Sequence, residues 1–159
     1  MNVHIIAVGK VKERYLREGI KEYEKRLLPY CKINTIEVME EEAPAQAIAI
    51  EREALLKKEG ERILKALKPH SYKIVLAVEG ERHTSESMAS KMEKLMLMGI
   101  SDFTFIIGSS FGLYSEIKKT ADLVLSFSDF TFPHQMMRLI LLEQIYRWMK
   151  IIKKEPYHR

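Results

Sequence analysis

The sequence lacks most of the features that make a function easy to read. It holds one cysteine, Cys31, in 159 residues. An intrachain disulfide is therefore excluded, and a reducing compartment is the simple expectation. The five histidines are scattered, and no Cys/His group has zinc spacing. No run approaches the ~18 apolar residues of a membrane span. The opening MNVHIIAVGK has neither the basic leader nor the long apolar stretch of a secretion signal. We expect a cytoplasmic protein without metal or membrane. Phosphate-binding glycine signatures are missing too. Gly112 is followed by Leu113 and Tyr114, not by the Lys and Ser/Thr of a P-loop. The first strand-like run ends in GKVKER, with one glycine where a dinucleotide fingerprint needs three. No G-x-S-x-G nucleophile elbow occurs.

What remains is an ordinary globular composition, 47% hydrophobic and 30% charged, enough to bury a core without staples. We expect one domain over residues 1–159. The net charge of +4 is modest but unevenly placed. Residues 1–30 carry +3, residues 130–159 carry +4, and the stretch between carries −3. If the two ends meet, they form a positive patch suited to an anionic partner such as RNA. The alternative is scattered solubilising charge.

Strand-like and helix-like runs alternate along the chain. VHIIAV (3–8) reads as a buried strand closed by Gly9. Residues 11–28 repeat apolar positions at helical spacing until Pro29. KINTIEV (32–38) alternates with period two. Residues 45–67 are rich in Ala, Glu, Lys and Leu, strong helix formers. YKIVLAVEG (72–80) is a third strand closed by Gly80, and Thr84 or Ser85 can cap the next helix. DFTFIIG is the fourth strand, a short helix covers about 114–120, and DLVLSF (122–127) is the fifth strand. Pro133 opens a long last helix. This order predicts an α/β fold, a mostly parallel sheet with helices on both faces.

Two regions carry chemistry. FTFIIGSSFG (103–112) ends a strand in a glycine loop, where ligands bind in open α/β sheets. It has no Lys or Arg for a phosphate, so a phosphate-free ligand suits it better; a plain strand–turn–helix connection is the simpler reading. In the last helix, Leu141, Leu142, Ile145, Trp148, Met149, Ile151 and Ile152 spread over nearly half the circumference. So wide an arc predicts burial by the sheet on one side and a partner subunit on the other, a homodimer through this helix, unless one subunit buries it alone. Arg138 falls inside that arc. It needs a carboxylate such as Asp129 or Glu143, a run of carbonyls, a way out past a helix end, or an RNA phosphate or base edge. The terminal PYHR has types that suit an RNA site: Tyr157 to stack, His158 to move a proton, Arg159 to hold phosphate.

FIIGSSFGL, then LSFSDFTFPHQMMRLILLEQIYR, then PYHR together resemble the large-subunit ribosomal RNA methyltransferase H family, a bacterial branch of the SPOUT class. The resemblance runs from VGKVKERY to Arg159. It implies a homodimer with a C-terminal trefoil knot and S-adenosylmethionine as cofactor. The implied reaction is methylation of N3 of a pseudouridine in 23S rRNA, on assembled ribosomes. By position it places the cofactor against Leu76, Gly108, Phe127, Ser128, Asp129, Phe130, Thr131 and Phe132. Arg138, His158 and Tyr157 become the candidate catalytic groups, and His134, Arg138 and Arg159 the candidate substrate contacts. Many relatives have glycine where this chain has Ser109, and a small, acidic or amide residue where it has Phe111. If position 109 needs a positive φ, Ser109 is strained there. Two rivals stand beside this reading: a non-catalytic ribosome- or RNA-binding module of the same fold, and a flavodoxin-like nucleotide-binding enzyme.

Overall fold

The computed structural model describes residues 1–44 and 46–157. Five strands and five helices alternate: β1 (Asn2–Val8), α1 (Arg14–Leu27), β2 (Lys32–Val38), α2 (Ala49–Ala66), β3 (Tyr72–Arg82), α3 (Ser85–Leu97), β4 (Asp102–Ile107), α4 (Ser115–Lys119), β5 (Leu123–Ser126) and α5 (His134–Ile152). All described strand pairs are parallel, in the order β2-β1-β4-β3-β5. A flavodoxin-like sheet would run 2-1-3-4-5; here β3 and β4 are exchanged.

The sheet is buried on both faces because alternate side chains of each strand feed different cores. Val3, Ile5 and Ala7 of β1 join Phe103 and Phe105 of β4 under α1, α3 and α5. Ile6 and Val8 join Val75 and Ile106 on the other face, under α2 and α4. Trp148 of α5 stacks on Phe105 with centroids 6.1 Å apart and meets Phe127 edge-on at 6.3 Å. Helix ends follow local chemistry. Thr84 Oγ1 accepts from the Ser87 amide and caps α3. The helix expected from residue 45 begins only at Ala49, where Glu51 reaches back to the Ile48 amide at 3.0 Å. Among the described residues no helix is long and apolar enough to cross a membrane.

Gly80 does not close β3 as the sequence suggests. β3 pairs with β5 through Leu76, skips four residues, and resumes at Glu81. Gly80 makes the return possible, since a Cβ there would lie 2.7 Å from the Val124 carbonyl oxygen.

Candidate functional site

Three strand ends wall a single cavity of about 560 Å³ at the carboxyl edge of the sheet. That size suits a small organic ligand. From β3 come Leu76 and the bulge residues Ala77, Val78 and Glu79. From β4 comes the 108–112 loop. Gly108 is needed for close approach: a Cβ there would overlap the Gly112 carbonyl and sit 2.7 Å from Leu113 Cγ. The Ser109 amide and carbonyl both pair with Gly112, at 3.1 and 2.9 Å, and close the loop. Gly112 takes the left-handed conformation, φ +97°. Ser109 does not, so the strain considered for it is absent. Its hydroxyl instead donates to buried Glu59 on α2 at 2.9 Å. Phe111 lies outside the cavity, half-exposed beneath the Arg52 guanidinium.

The segment after β5 supplies Phe127, Ser128, Phe130, Thr131 and Phe132. It is pinned by its own side chains. Ser128 Oγ accepts from the Phe130 amide at 3.0 Å, and Ser126 Oγ donates to the Ser128 carbonyl. The eight cofactor positions suggested by the sequence thus converge on this cavity, except Asp129. The Asp129 carboxylate pairs with Arg82 at the surface instead.

The cavity's charge is balanced. Glu79 and Lys118 both line it and contact each other. The Lys118 ammonium holds the Glu79 carboxyl below the usual carboxylate range. Among the described lining residues no Lys or Arg is left uncompensated for a phosphate. Phe127, Phe130 and Phe132 instead offer apolar walls that suit a planar ring. The residues present therefore fit S-adenosylmethionine, which carries a sulfonium and no phosphate. Among the described residues no cluster of three or more His, Cys, Asp or Glu could hold a metal.

His134, the first residue of α5, closes the rim. Its Nε2 is buried without a hydrogen-bond partner, 3.9 Å from the Glu40 carboxylate. Arg138, one turn later, is buried away from the cavity. Its guanidinium binds Glu37 at 2.6 Å and the Gly9 carbonyl. Neither of the partners suggested by the sequence, Asp129 or Glu143, contacts it; the carboxylate comes from the end of β2. Tyr157 folds back onto the middle of α5. Its hydroxyl lies 3.2 Å from both Glu143 and Tyr23, and its ring meets Tyr146 at 4.8 Å. Burial, more than these contacts, pushes its phenol well above the usual range. Glu143 follows His134 by nine residues, or about 13 Å along the helix. One chain therefore keeps Tyr157 apart from the cavity. His158 and Arg159 lie outside the described residues.

Several site residues escaped the sequence reading: Glu37, Glu40, Glu59, Lys118 and the 77–80 bulge. Only Glu59 was signalled. Gly60 interrupts a run of strong helix formers at a cost of about 1 kcal/mol against Ala, which asks for a packing reason. The others depend on contacts between segments far apart in the chain.

Comparisons with known proteins identify the family. The family described as "Predicted SPOUT methyltransferase" matches residues 1–158. Proteins named ribosomal RNA large subunit methyltransferase H match over the full length of both chains. Those of Acetivibrio thermocellus and Halothermothrix orenii are each 52% identical, and that of Carboxydothermus hydrogenoformans 53%. A methylase family protein from Neisseria gonorrhoeae shares the fold, with TM-score 0.52 and 11% identity over 91% of this chain and 80% of that one. On this evidence the chain belongs to the SPOUT methyltransferase family, in the branch of ribosomal RNA large subunit methyltransferase H.

Proposed function

We propose that this protein is an S-adenosylmethionine-dependent methyltransferase acting on N3 of a pseudouridine in 23S rRNA of the assembled ribosome. The observation that carries the cofactor is the cavity walled from three strand ends, whose Lys118 is paired with Glu79 and leaves no described lining cation for a phosphate. The names of the full-length relatives support the large-subunit RNA as substrate. S-adenosylmethionine, when bound, supplies a methyl group activated by a sulfonium.

The protein's part is alignment and proton handling. Phe127, Phe130 and Phe132 wall the cavity, and the 108–112 loop offers backbone groups to the cofactor. N3 of the base begins as an imide N–H, so its proton must leave. His134 offers an imidazole on the cavity rim, and His158 is the second candidate acceptor. Arg159 and Tyr157 belong to the substrate side. Lys10 and Lys12 are exposed beside the rim, where the Lys12 amide donates to Gln135 at 2.8 Å. They suit the RNA backbone.

The active unit in this reading is a homodimer through α5. It is supported by the separation of Tyr157 from the cavity within one chain, which a second copy could close. The trefoil threading of the C-terminal segment belongs to the same proposal, supported by the family match over residues 1–158. The rival of a non-catalytic binding module makes the opposite prediction in one assay. Ribosomes lacking the modification are incubated with the protein and methyl-labelled cofactor. Label on a pseudouridine N3 supports the reading, whereas cofactor binding without transfer supports the rival. Light scattering at micromolar concentration tests the dimer; the mass of one chain would rule it out.

A further inference from the structure

The cavity is braced from behind by α2. Glu59 on that helix is only 3% exposed. One carboxylate oxygen accepts from Ser109 Oγ in the cavity loop, and the other accepts from the Glu41 amide, both at 2.9 Å. At Gly60, the next residue, a Cβ would lie 2.8 Å from Tyr114, so α2 sits directly on the segment that leaves the loop. Arg62 donates to the Met39 carbonyl at 2.9 Å and pairs with Glu41, which Lys58 approaches to 3.8 Å. The neighbour of Glu41, Glu40, faces His134 on the cavity rim. One turn of α2 therefore holds one wall of the cavity, the 108–112 loop, and at the same time the 39–41 segment that backs His134 on the rim.

A buried carboxylate is a costly way to secure a helix, because an apolar residue of similar size stabilises at least as well. Its special property is geometric. It accepts hydrogen bonds on two oxygens and can hold donors from separate segments at a fixed spacing. We propose that Glu59 is a positioning residue, a two-sided clamp that joins the 108–112 loop to the 39–41 segment and so sets the shape of the cavity for its ligand. The identity of that ligand rests on the functional reading above; the clamp does not.

Three variants test it: Glu59→Ala, Glu59→Gln and Ser109→Ala. Glutamine keeps one acceptor for the Glu41 amide, and its amide can donate to a rotated Ser109 hydroxyl. The first readout is amide hydrogen exchange in the cofactor-free protein. Glu59→Ala is expected to speed exchange of residues 108–113 by about ten-fold or more, with β1 and α5 unchanged, Ser109→Ala intermediate and Glu59→Gln near the parent. Should Glu59→Ala fail to fold, Ser109→Ala against the parent carries the test alone. The second readout is calorimetry with S-adenosylmethionine. Kd should weaken by about ten-fold in Glu59→Ala, with kcat at saturating cofactor nearly kept and Glu59→Gln restoring affinity. Parental exchange in the loop, or faster exchange across the whole chain, would overturn the clamp. So would a parental Kd in Glu59→Ala. If the parent binds no S-adenosylmethionine while the exchange pattern holds, the clamp stands and the cofactor reading falls.

Discussion

Replacing Arg138 with Met decides whether its guanidinium belongs to the fold or to the reaction. The substitution keeps an apolar stem of similar length and removes two contacts, to Glu37 and to the Gly9 carbonyl. Breaking a fully buried ion pair costs about 3–5 kcal/mol. Arg138 is 4% exposed but Glu37 is 38% exposed, so water can recover part of the loss at the carboxylate. We therefore take about 2–3 kcal/mol. For a chain of this size each kcal/mol moves Tm by about 2–4 °C, giving an expected drop of about 4–12 °C. Scanning calorimetry of Arg138→Met, Glu37→Gln and the double variant measures it. The double variant should lose less than the sum of the singles, because each single loses the same interaction. A melting temperature within about 2 °C of the parent, together with abolished methyl transfer, would refute the reasoning and free Arg138 for substrate.

The two loop glycines should respond differently to alanine. Gly108→Ala places a methyl group into the Gly112 carbonyl, so the loop must shift and cofactor affinity should fall by about ten-fold or more in calorimetry. Gly112→Ala meets no atom within 4 Å, so it should show only backbone strain of about 1–2 kcal/mol, a drop in Tm of about 2–8 °C. Equal affinities for Gly108→Ala and the parent would remove the loop from the site. Stability above the ordinary glutamate range should carry the mark of Glu59. Burial, its largest influence, raises its folded pKa above the unfolded value. The fold therefore holds that proton after the unfolded chain has released it. The stability it contributes is full below the ordinary glutamate value and is lost as pH rises toward the raised one. The Tm of Glu59→Gln minus that of the parent should grow as the pH rises above about 4; a constant difference contradicts the assignment. Reversing Lys10 and Lys12 to Glu should weaken ribosome binding, flatten its salt dependence, and leave cofactor affinity unchanged.

The alternation of strands and helices was legible because it is local. Periods of two and 3.6 and the breaks at Pro29 and Pro133 need only neighbouring residues. Gly108 was legible for the same reason, as a glycine ending a β-branched run. The strand order was not, since β1 lies between β2 and β4, and its pairing with β4 joins positions a hundred residues apart. Glu37 was invisible as the partner of Arg138 for the same cause. Gly80 misled because a glycine admitting a close strand reads like one ending a strand. The wide apolar arc of α5 also has an explanation within one chain. The sheet, α1 and α3 bury Leu141, Leu142, Ile145, Trp148 and Met149 without a second subunit, and leave only Ile151 and Ile152 of the arc partly exposed. The dimer proposal therefore rests on the position of Tyr157, not on that arc.

The central claim is tested most directly by mapping the methyl group. Large-subunit RNA from ribosomes treated with the protein and S-adenosylmethionine is digested, and its nucleosides are resolved by mass spectrometry. The proposed function requires a single new N3-methylpseudouridine that disappears when the protein is omitted. Unmodified RNA alongside confirmed cofactor binding, or a methyl group on another base, would contradict it.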